Sequence, residues 1–96
     1  MLTGKQKRFL RRMGHDLQPV VLIGKSEVTQ SIIHETDSAL ENHELIKIKL
    51  LDSSLTGRRE AAEHLASSLN AEVAQILGRT ILLYRKSKKP KFDLPG

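Results

Sequence analysis

The stretch PVVLIGKSEV, residues 19–28, runs an apolar segment into Gly24, Lys25 and Ser26. That order of residue types suits an anion. A glycine lets the backbone come close to an oxyanion, a lysine adds a point charge, and a following helix offers N–H groups that lack intrahelical partners. A nucleotide-binding P-loop is excluded. It needs a glycine at position 19 so that several N–H groups can wrap the phosphates, and Pro19 is neither a glycine nor a donor. Two readings remain: a short clamp for a phosphate of a polymer backbone, or a plain strand-to-helix turn in which Gly24 supplies a positive φ.

The other cations bear on which polymer fits. The net charge is +5, from 16 Lys and Arg against 11 Asp and Glu. Lys5, Lys7, Arg8, Arg11 and Arg12 precede the first acid, and Arg85, Lys86, Lys88, Lys89 and Lys91 crowd the C-terminal end. Residues 13–84 carry a net −4. An excess confined to the two ends becomes one polyanion-binding surface if the fold joins those ends. Solubility is the plainer explanation for basic termini, and the tightness of the clustering argues against it.

No constellation calls for catalysis. His15, His34, His43 and His64 include no pair four residues apart and have no cysteine beside them, so no metal site is expected. Glu35, Asp37, Glu41 and Glu44 read as a solvated helix face and its exit, not as an acid–base pair. No enzyme activity, cofactor or small-molecule substrate is expected. Phe9, Tyr84 and Phe92 are the only aromatic residues, too few for a base-stacking platform. Recognition through backbone and shape is the expected mode.

These residues need elements to position them. Thr3 and Gln6 form a capping-box pair, and Leu2, Phe9, Leu10, Met13 and Leu17 recur at helical spacing to give an apolar seam. The five early cations fill the rest of that helix. Val20 to Ile23 reads as a strand buried on both faces. Ser26 is the expected cap of a second helix, with Glu27 in its first turn and Val28, Ile32, Ile33, Thr36, Ala39 and Leu40 as its core stripe. Ile46, Ile48 and Leu50 alternate with Lys47 and Lys49, a strand with one basic face. Thr56 opens a third helix with a seam of Ala61, Ala62, Leu65, Ala66 and Leu69. Two final strands flank Gly78-Arg79, where glycine in first place suits a type II′ turn.

The result is an α/β fold in a single small domain, ordered helix-strand-helix-strand-helix-strand-strand, with a mixed four-stranded sheet packed with helices. Residues 1–87 form the domain, and 88–96, with two prolines and no period, read as a basic flexible tail. With 96 residues one domain is the natural size. The chain has no cysteine, no signal-like leader and no stretch long enough to span a membrane. A cytoplasmic monomer without membrane contact is expected.

Four motifs in order, LTGKQKRFLR, PVVLIGKSEVT, HELIKIK and ILGRTILLYR, resemble the hallmarks of the CRM-domain family. The chain looks like the bacterial stand-alone, YhbY-like form, over about residues 2–85. The resemblance implies a fold similar to the C-terminal domain of translation initiation factor three. It also implies RNA binding, and association with precursors of the large ribosomal subunit during maturation. The family's GxxG loop maps onto Gly24, Lys25, Ser26 and Glu27, with Glu27 in place of the second glycine.

The expected partner is therefore ribosomal RNA or a large-subunit precursor particle, held by its backbone. The expected contacts are Lys5, Lys7, Arg8, Arg11, Arg12, Gly24, Lys25, Ser26, Lys47, Lys49, Arg79 and Arg85. Arg58, Arg59, Lys86, Lys88 and Lys89 form a second rank. A DNA-binding module and a protein-interaction adaptor with a basic face are the alternatives.

Overall fold

The computed structural model describes residues 2–24, 28–51 and 57–96. Lys25, Ser26, Glu27 and Thr56, singled out above, lie outside the described residues. The elements follow in the expected order: α1 (Gly4–Gly14), β1 (Pro19–Ile23), α2 (Gln30–His43), β2 (Leu45–Leu50), α3 (Gly57–Leu69), β3 (Glu72–Leu77) and β4 (Thr80–Tyr84). The sheet runs β1-β2-β4-β3. β1 and β2 are parallel, joined by the α2 crossover, and the other two pairings are antiparallel. Gly78 has φ +59 and Arg79 has no positive φ, as a type II′ turn requires.

Local signals set the helix starts. The Thr3 hydroxyl accepts from the Gln6 backbone N–H, and the Gln6 side chain accepts from the Thr3 N–H, closing the capping box. α2 begins later than expected. Its cap is Thr29, whose hydroxyl accepts from the Ile32 N–H, and its first turn holds no acid. The expected start at Ser26, with Glu27 serving the helix dipole, is corrected: Thr29 is an equally good cap and lies nearer the apolar stripe.

The sheet is covered on both faces, by unequal layers. α2 and α3 enclose the larger core, which includes Val21, Ile23, Leu40, Ile46, Ile48, Leu50, Leu65, Ile81 and Leu83. α1 lies on the opposite face, over Leu45, Ala74, Leu82 and Tyr84, with Leu2 and Leu10 inserted. Gly14 allows the close approach there, since a Cβ at that position would stand 2.6 Å from Leu82 Cδ1.

A single helix is about 10 Å across, roughly the width of two strands, so α1, of 11 residues, cannot cover four. α1 packs on β3 and β2, which leaves β1 at the open edge. Val20 and Leu22 are therefore 44% and 51% exposed, a correction to the expectation that β1 is buried on both faces. Met13 and Leu17, expected in the seam, are also exposed; Leu17 lies beyond the end of the helix at Gly14.

Residues 88–96, expected as a tail, form neither helix nor strand and lie against α1 and β4. The Phe92 ring stands 6.0 Å from Phe9 and 5.9 Å from Tyr84 between centroids. Gln6 Nε2 donates to the Pro95 carbonyl at 3.0 Å. The buried Glu44, with φ +70, accepts from the Lys91 N–H at 2.6 Å and from the Tyr84 hydroxyl at 3.3 Å. A left-handed backbone is costly for glutamate, and its side chain ties β4 to the tail as no glycine could. Burial, reinforced by the charge of Glu44 and by this hydrogen bond, pushes the Tyr84 hydroxyl up to about 12. Phe92 and Pro95 thus bring the C-terminal segment against α1, while Arg85 and the Lys88 N–H turn to acids of α2.

Candidate nucleic-acid interface

Strand alternation sorts β2 into two faces. Ile46, Ile48 and Leu50 enter the α2/α3 core, and Leu45 packs under α1. Lys47 and Lys49 share the Leu45 side. Lys49 pairs with Leu22 on β1 and Thr80 on β4, and Thr80 pairs with Leu77 on β3. One row, Leu22–Lys49–Thr80–Leu77, thus crosses all four strands beyond the end of α1. Lys47 stands in the row behind it, between Pro19 and Leu82.

A bulge in β3 changes what this face offers. The register shifts between Val73 and Gln75. Val73 and Ile76 pack against the α2/α3 core while Ala74 packs under α1. Gln75 is left on the α1 side as well, where strict alternation from Val73 would have turned it into the core. The end of α1 overhangs this surface, and Arg11 Nε donates to the Ala74 carbonyl at 3.4 Å. Arg11, Arg12, His15 and Asp16 wall an open groove of about 640 Å³, floored by Gln75, Leu77, Thr80 and Leu82, with Lys47 at its side. Lys47 Nζ reaches the His15 carbonyl at 3.5 Å.

The remaining expected contacts divide. Lys5, Lys7, Arg8 and Arg12 are carried by α1, and among the described residues none is ion-paired. Arg79 is exposed at the hairpin tip, its carbonyl accepting from the Leu50 N–H at 2.8 Å. Arg58 Nη1 donates to the Gly78 carbonyl at 2.5 Å, so both arginines stand at the sheet end where Ile23 leads into Gly24. Arg59 is exposed at the start of α3. Arg85 is elsewhere. Its guanidinium donates to the Asp37 carboxylate at 2.8 Å and to the Leu69 carbonyl at 3.1 Å, so it closes the α2/α3 side. Lys86, Lys88 and Lys89 belong to the strand exit and tail, where the Lys88 N–H donates to Glu41 at 3.0 Å.

Gly24 lacks the positive φ of a turn glycine, and among the described residues a Cβ there would meet nothing within 4 Å. Neither backbone conformation nor internal packing demands a glycine at this exposed position. Close approach of an outside group is a use that remains.

Sequence reasoning missed His15, Leu22, Gln75, Leu77 and Thr80. The signal for Gln75 was present: a polar residue within EVAQIL that fits neither strict alternation nor a continuous apolar run. Among the described residues, no group of three or more His, Asp or Glu could hold a metal, and no helix is long and apolar enough to cross a membrane.

A CRS1 / YhbY (CRM) domain matches residues 2–85. The chain belongs to the CRM-domain family. "Probable RNA-binding protein YqeI" of Bacillus subtilis is 42% identical to this CRM chain over 96 residues, covering 99% of it and 100% of the relative. A Haemophilus influenzae protein named "RNA-binding protein" is 34% identical over 94 residues, covering 98% and 95%. The solution structure of SAV1595 from Staphylococcus aureus superimposes with a TM-score of 0.87 at 41% identity, covering 99% of this chain and all of that one. The four-motif resemblance and the α/β architecture both hold.

Proposed function

We propose that this protein binds structured ribosomal RNA by its backbone and acts on large-subunit precursors during ribosome maturation, as a cytoplasmic monomer. One observation carries the reading: the cations of α1 and the lysines of β2 share one side of the sheet. Arg11 and Arg12 overhang Lys47, Lys49 lies one row beyond, and Arg79 and Gly24 stand at the strand ends that follow. Cations spread over about two turns of helix and two strand rows match a phosphate chain better than a single small anion.

The relatives named as RNA-binding proteins support RNA over DNA. Gly24 supports a close backbone approach, since it is exposed and nothing among the described residues crowds it. The ribosomal assignment follows from the family resemblance.

The test is a side-by-side titration with large-subunit ribosomal RNA fragments and duplex DNA of equal charge, followed by crosslinking in cells and sequencing of the attached RNA. Tighter RNA binding with crosslinks in large-subunit RNA is expected. Equal affinity for DNA overturns the RNA assignment, and complexes that persist after nuclease treatment point to a protein partner instead.

A further inference from the structure

The groove beneath the end of α1 is chemically unlike the rest of the basic face. A purely phosphate-binding surface needs cations and N–H donors. This groove has an apolar floor, Leu77 and Leu82, with Leu77 67% exposed. It carries two neutral groups able both to donate and to accept, the Gln75 amide and the Thr80 hydroxyl. Asp16 is also in its wall, a carboxylate that repels phosphate and accepts from base N–H groups. The Gln75 side chain is there only because of the β3 bulge, a device that commonly re-aims a side chain at a functional site.

From this composition we infer that the groove seats one unpaired nucleobase of the bound RNA. Arg12 and Lys47 hold its flanking phosphates, and the base lies on the leucine floor against an arginine plane. Gln75, Thr80 and Asp16 meet its edge. Unpaired bases splayed out of a fold are what RNA-binding proteins read, and arginine planes substitute for aromatic rings in stacking them. The volume of about 640 Å³ falls in the range of sites for compact organic ligands. The surrounding cations favour a polyanion over an apolar protein segment. The inference rests on the RNA-binding reading and adds to it: the preferred target is a bulge or loop, not continuous duplex.

Three RNA stems test this by fluorescence anisotropy at one salt concentration: fully paired, with one bulged nucleotide, and with the same bulge made abasic. Bulged and abasic stems carry equal phosphates and equal backbone length, so their affinity ratio reports the base. The bulged stem is expected to bind about tenfold tighter than the abasic one. The Gln75→Leu/Thr80→Val double variant, which removes the groups that meet the base edge, should lower that ratio. Asp16→Asn, at an exposed position, should lower it and serves if the strand variant does not fold. Equal binding of bulged and abasic stems by the unaltered protein overturns the inference while leaving backbone binding standing. A ratio unchanged in the variants overturns the groove as its site. Failure to bind any of the three stems overturns the RNA-binding reading itself.

Discussion

Arg85 donates to the Asp37 carboxylate at 2.8 Å across 48 residues of sequence, with Glu41 3.7 Å from the same guanidinium. This cation fastens the exit of β4 to α2. Its position in a basic cluster says nothing of that role, because both acids lie on a helix that only the tertiary fold brings near.

The consequence for Arg85→Met is a loss of stability without a loss of binding. The variant leaves the Asp37 carboxylate and the Leu69 carbonyl without their shared donor. Unfolding free energy should fall by about 1–3 kcal/mol, measured by urea denaturation. RNA affinity of the folded variant should stay within about twofold.

Arg8→Glu combined with Arg12→Glu should do the reverse. Both are exposed on α1, so stability should change by no more than about 0.5 kcal/mol. RNA affinity should drop more than about tenfold. The dependence of log affinity on log salt should become shallower by about 1.4, two phosphate contacts at roughly 0.7 each for single-stranded RNA.

Tyr84 is the only tyrosine and the chain has no tryptophan, so tyrosinate absorbance reads this one group. Its midpoint should lie near the value of about 12 to which burial and Glu44 push it, against about 10 for a free phenol. The folded value is the higher one, so the stabilisation is complete below about pH 10 and is lost as pH rises towards 12. In Tyr84→Phe this component of the alkaline fall should be absent, as thermal midpoints measured across that range would show.

Gly14→Ala tests the seating of α1. The added Cβ would stand 2.6 Å from Leu82 Cδ1, an overpacking cost of about 1–3 kcal/mol set against a helix-propensity gain of about 1 kcal/mol. A net loss is expected. Leu82→Ala should relieve the clash in combination, so a double-mutant cycle should give a favourable coupling of about 1 kcal/mol. Purely additive effects would mean that α1 is seated by other contacts.

Legibility in the sequence followed the range of each interaction. Thr3 with Gln6, the Gly78 turn, the α3 stripe and the α2 stripe from Ile32 onward are settled within a few residues, and each stood where its local pattern implied. The alternation in β2 likewise separated Lys47 and Lys49 from the core. What sequence alone did not show was set by the width of α1 against the sheet. Four apolar residues in β1 read as a strand covered twice, yet the helix rests on β2 and β3 and leaves Val20 and Leu22 in the open. The pairing of Arg85 was equally hidden, since its partner Asp37 lies 48 residues away on α2. Among the candidate contacts, the α1 cations and the β2 lysines were legible because a helix face and a strand face are periodic. The groove was not, because it needs a bulge on one strand and a helix end from another part of the chain.

The row from Leu22 to Leu77 takes one residue from every strand. A slip of β2 by a single position would turn Lys47 and Lys49 inward and Ile46, Ile48 and Leu50 outward. A mispaired molecule would therefore withdraw both β2 lysines from that face in the same step that spoils its interior. In the proposed binding mode, the two β2 lysines are thus displayed together only by a molecule whose sheet is correctly registered.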